Sequence, residues 1–76
     1  MKAKVITQLS KCHMAEKSFV YITYGSREHD IFITKVDKED LSLVIDFIGD
    51  NNLKIPKGDE FFIGKENDKK LKMQVI

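Results

Sequence analysis

The stretch Asp37-Lys38-Glu39-Asp40-Leu41-Ser42-Leu43-Val44-Ile45-Asp46-Phe47-Ile48-Gly49-Asp50 decides the fold. Leu41, Val44, Ile45 and Ile48 fall at i, i+3, i+4 and i+7, which is one face of a helix. Asp37 is a good N-cap, and Asp40 stands three residues on, in a loose capping-box position. Glu39 and Asp40 would then lie in the first turn, where the helix dipole favours negative charge. Gly49 follows the last apolar residue, as a C′ glycine does. Start signal, period and stop signal agree on a helix over 41–48. The same residues also read as a strand, because Leu41, Leu43, Ile45 and Phe47 alternate with Ser42, Val44, Asp46 and Ile48. Under that second reading the protein is a small all-β barrel.

On the amino-terminal side, Ala3 to Leu9 alternates loosely and reads as a strand, and the polar stretch Ser10 to Lys17 reads as a loop. Phe19-Val20-Tyr21-Ile22-Thr23-Tyr24 is β-branched and aromatic on both faces, which suits a central strand covered on both sides. Gly25 to Glu28 is a turn, and Asp30 to Val36 is the returning strand of a hairpin with a loop of about four or five residues. On the carboxy-terminal side, Asp50-Asn51-Asn52 is loop and Leu53-Lys54-Ile55 is a short extended piece held away from helix by Pro56. Glu60 to Ile63 is a strand and Gly64 to Lys70 a turn. Leu71, Met73 and Val75 alternate with polar residues, so the last strand has one wet face and is expected near a sheet edge. The expected order is β-β-β-α-β-β, an α+β fold in which one helix packs on a face of a small antiparallel sheet.

The chain has 76 residues, enough for one domain spanning 1–76. An apolar fraction of 42% beside a charged fraction of 33% fits a folded, soluble protein. No stretch approaches the 18 apolar residues of a membrane span, and Met1 to Gln8 has no apolar run behind its lysines, so neither a membrane nor a secretory route is expected. The single cysteine, Cys12, cannot close an intramolecular disulfide, so a cytoplasmic setting is the simpler expectation. The bias toward Lys, Ile, Asn and Asp is that of an AT-rich genome, such as a low-GC bacterium or a phage.

The net charge of +1 hides an uneven distribution. Residues 1–27 hold five basic and one acidic residue, residues 28–50 two and seven, and residues 51–76 six and four. An acidic middle between basic ends is an electrostatic dipole rather than a uniformly basic surface. Arg27 is the only arginine beside 12 lysines, so bidentate phosphate or guanine contacts have little to draw on.

No arrangement of residues asks for catalysis, and neither metal nor cofactor is expected. Cys12-His13 and His29 are too few for a structural zinc signature. Asp37-Lys38-Glu39-Asp40 lacks the ligand spacing and central glycine of a calcium loop. Gly58-Asp59-Glu60-Phe61 spells four letters of the diguanylate-cyclase signature, but Lys57 replaces its first glycine, and that domain is about twice this length; the match is coincidental. Gly49, Gly58 and Gly64 have no phosphate-loop spacing.

What remains is a small regulator or inhibitor that binds another protein. On the expected helix, Leu43 and Phe47 form an apolar pair pointing away from the buried face. With Asp40 and Asp46 beside them they would make an apolar centre with an acidic rim. Leu43→Asp with Phe47→Asp should then weaken binding and leave the fold intact, whereas unfolding would make these residues core. A nucleic-acid module is the alternative, using Lys2, Lys4, Lys35 and Tyr24, with salt-sensitive binding as its mark. A third reading is a self-associating subunit, a homodimer paired through residues 71–76 as an exposed edge.

Overall fold

A computed structural model of the chain describes residues 1–39, 42–50 and 53–76. It contains six strands, β1 (Lys2–Gln8), β2 (Ser18–Tyr24), β3 (Arg27–Glu39), β4 (Ser42–Gly49), β5 (Glu60–Lys65) and β6 (Asp68–Val75), and no helix among the described residues. They close into one antiparallel barrel in the order β1-β4-β3-β2-β5-β6, with β6 paired back onto β1. The α+β expectation is therefore overturned, and the all-β barrel is the fold found.

The correction centres on residues 42–49. They form β4, which pairs with β3 from Ser42 to Gly49 and with β1 through Lys2↔Asp46, Ala3↔Ile45 and Lys4↔Val44. As a helix, this segment would have left the ladders of β1 and β3 unpaired. As a strand, it satisfies both, and its β-branched Val44, Ile45 and Ile48 suit a pleated surface. The capping signals at Asp37 and Gly49 serve other ends. Asp37 lies within β3, opposite Val44. A Cβ on Gly49 would collide with the side chain of Leu53, so the missing side chain admits that leucine to the core. Asp40 and Leu41, on which the cap and the period also rested, and Asn51 and Asn52, read as loop, lie outside the described residues.

The remaining elements follow alternation. Ala3, Ile22, Ile31, Ile33, Ile45, Phe47, Phe61, Ile63, Leu71, Met73 and Val75 point into the barrel and form its core. Phe47 and Phe61 meet there with ring centroids 5.5 Å apart. Residues 9–17 cross one end, tied by the Leu9 and Ser10 amides donating to the Lys70 carbonyl, and bring Cys12 and Met14 against the core. Between β4 and β5, Leu53 and Ile55 are buried against the core.

Three boundaries differ from the sequence expectation. The β2–β3 loop has only two residues, since Tyr24 pairs with Arg27. Gly25 takes φ 64° there, which a type II′ turn requires at its first position. The turn expected over 64–70 shrinks to Glu66-Asn67, because Gly64 pairs with Lys69 and Lys65 with Asp68. Finally, the strand at 71–75 is not an edge. It hydrogen-bonds to β5 on one side and β1 on the other, so a homodimer through 71–76 has no free ladder to use. Among the described residues no helix is long and apolar enough to cross a membrane.

Candidate protein-contact face

The outer surface of β2, β3 and β4 carries the feature the sequence concealed. In β2, Val20 and Ile22 turn inward, which sends Phe19 and Tyr21 outward. In β3, the buried Ile31 and Ile33 alternate with the outward Asp30 and Phe32. In β4, the buried Phe47 alternates with the exposed Ile48. The register then places Phe19 opposite Phe32 and Phe32 opposite Ile48, an apolar row across three strands. Its outer members, Phe19 and Ile48, are 75% and 61% exposed, and Tyr21, next along β2, is 52% exposed.

The row is ordered by its own contacts. The Phe19 and Phe32 rings meet edge to face, with centroids 4.9 Å apart. A groove of about 310 Å³ runs between Phe19, Phe32 and Ile48 and is edged by Asp30, Gly49 and Asp50. The Asp50 carboxylate lies 3.5 Å from Nδ1 of His29. Beside it, Tyr21 stands opposite Asp30 and carries the Lys65 ammonium 4.8 Å from its ring centroid.

β2 is thus not covered on both faces. Hydropathy alone does not separate Phe19 and Tyr21 from Val20 and Ile22, because a run apolar at every position has no visible alternation. The one available signal is branching, since the β-branched pair is the inward one.

The residues singled out from the sequence are dispersed. Phe47, expected on an exposed helix face, is 1% exposed inside the barrel. Leu43 is half-buried and stands opposite Lys38, so the two do not form a surface pair. Asp46 is outward on β4, with Lys2 Nζ 4.0 Å from its carboxylate. Asp40 lies outside the described residues.

Of the nucleic-acid set, Lys2, Lys4 and Lys35 share the outer surface of β1, β4 and β3, where Asp46 stands opposite both Lys2 and Lys35. Lys35 also lies 3.6 Å from Asp37. Tyr24 is elsewhere, against Asp59. Its hydroxyl donates to Oδ2 of Asp59 at 2.7 Å, and this bond, with a little desolvation and the carboxylate charge, holds its pKa above the ordinary 10.0.

On β5–β6 the lysines face aromatic rings but are matched by acids. Lys69 lies 4.5 Å and Lys72 5.9 Å from the Phe62 centroid. Lys69 also meets Glu66 at 3.5 Å, Lys70 meets Asp68 at 3.2 Å and Lys72 meets Glu60 at 2.9 Å. Cys12 is half-buried, and its thiol faces the backbone carbonyl of His13 at 3.9 Å rather than the imidazole. Among the described residues no group of three or more His, Cys, Asp or Glu is placed to hold a metal ion.

No protein-family model matches the chain, and no curated protein or solved structure shows significant similarity to it.

Proposed function

We propose that this chain is a small non-catalytic binding protein that works by contact with another protein through the outer face of β2, β3 and β4. The row Phe19–Phe32–Ile48 carries the reading. Single exposed apolar residues are ordinary, but two phenylalanines and an isoleucine in register on adjacent strands form a contiguous patch. An apolar, aromatic centre with charged residues at its margin has the composition of a protein interface. The edge-to-face contact of Phe19 with Phe32 restrains both rings, which lowers the entropy lost on docking.

Charge placement favours a protein over a nucleic acid. Bases stack on aromatic platforms when cations alongside neutralise the phosphates. Here Phe19 and Phe32 lie beside Asp30 and Asp50, Tyr21 has the single cation Lys65 together with Glu28 and Asp30, and the lysines on β6 face carboxylates of their own.

The test is retention of partners from a host lysate on the immobilised chain, before and after nuclease. The wild-type chain should hold a stoichiometric protein after nuclease. Phe19→Asp and Ile48→Asp should release it, and Lys70→Ala, on β6, should not. Loss of all retained material after nuclease, or retention indifferent to Phe19→Asp, defeats the reading.

A further inference from the structure

We infer that the groove between Phe19, Phe32 and Ile48 receives a lysine or arginine side chain of the partner, so that the partner presents a basic segment to this face. The inference rests on the protein-contact reading above and specifies what occupies it.

The groove combines two kinds of wall. Phe19, Phe32 and Ile48 supply apolar surface, and Asp30 and Asp50 supply carboxylates at its margin. No lysine or arginine lines it, whereas the adjoining groove beside Tyr21 is bordered by Lys65. Its volume of about 310 Å³ accommodates a long side chain.

Three classes of occupant can be compared. A purely apolar side chain would fill the walls but take water from two carboxylates without replacing it. An acidic one would meet like charge. A lysine or arginine lays its methylene stem on apolar surface and keeps its cation at the polar end, which is the arrangement the groove offers. The aromatic rings add cation–π attraction, and the two acids add charge-assisted hydrogen bonds. The register Ile31↔Gly49 sets Asp30 and Asp50 at the same end of the groove, where the Asp50 carboxylate also lies 3.5 Å from Nδ1 of His29.

The experiment titrates N-acetyl-hexalysine amide into the ¹⁵N-labelled full chain, with hexaglutamate as the opposite-charge control. Hexalysine should shift the amides of Phe19, Asp30, Phe32, Ile48, Gly49 and Asp50, and hexaglutamate should not. Asp30→Asn and Asp50→Asn should each weaken the interaction by about two- to fivefold, as for a partly exposed ion pair. Phe19→Ala should weaken it by a similar factor through loss of the ring. Well-dispersed amide spectra of each variant would show that the fold is kept.

Shifts scattered over every carboxylate, including Glu66 and Asp68, or no shifts at all, overturn the inference. If shifts are absent but Phe19→Asp still releases the retained protein, the contact face stands and the basic occupant falls. A dimer in sedimentation velocity that Phe19→Asp dissolves, without hexalysine shifts, assigns the groove to a second copy instead. If Phe19→Asp also leaves retention unchanged, both proposals fail.

Discussion

At the scale of single residues, two phenylalanines define how the surface and the core divide. Phe19 is 75% exposed and Phe47 is 1% exposed. Phe19→Asp should therefore cost only about 0.5–1.5 kcal/mol, the worth of its edge-to-face contact with Phe32, while Phe47→Ala should cost about 3–5 kcal/mol, both measurable by urea unfolding. The paired change Leu43→Asp with Phe47→Asp should unfold the protein, since it places a carboxylate in the barrel interior. Loss of dispersion in the amide spectrum would register it. Tyr24 offers a test of a different kind. Its pKa is raised above 10.0 in the fold by the hydrogen bond to Asp59, with desolvation and the carboxylate charge adding to it. The folded state thus holds the phenolic proton more tightly than the unfolded state does. The associated stabilisation is complete below pH about 10 and disappears as pH rises through the raised value. Ultraviolet titration of tyrosine should show Asp59→Asn moving this ionisation down, with Tyr24→Phe identifying which transition belongs to Tyr24.

At the scale of elements, segment 42–49 shows what a single sequence conveys and what it leaves out. Helix and strand periods coincide over Leu43 to Ile48, and helix-end signals are present at Asp37, Asp40 and Gly49. The deciding facts are non-local. β1 and β3 each need a partner ladder, and Leu53 needs the space above Gly49. The other strands were legible because alternation or β-branching marked them, and Leu71, Met73 and Val75 were correctly placed inward. The contact face was not legible. Its register depends on Phe32 meeting both Phe19 and Ile48, and the helical period puts Ile48 on a buried face. The segment between β4 and β5 makes a prediction at this scale. Leu53 is 5% exposed although it belongs to no strand. Leu53→Ala should cost about 2–4 kcal/mol in urea unfolding, comparable to a core strand residue, because Leu53 is buried against the core.

At the scale of the whole molecule, closure of β6 onto β1 leaves β6 paired on both sides, while β2 and β5 pair only at Ile22↔Ile63 and Thr23↔Phe62. Native-state hydrogen exchange should find the hydrogen-bonded amides of β6 as slow as those of β3. Fast exchange along β6 would mean that the barrel opens there. Closure also bears on folding. The β2–β3 and β5–β6 hairpins join neighbours in the chain and are entropically cheap. β1 has no such neighbour, for Ala3 pairs with Ile45 on one side and Val75 on the other. β1 should therefore be seated after the segments it pairs with. Folding should be slow for a protein of this size. A circular permutant that carries β1 directly after β6 should fold faster and present the same outer face.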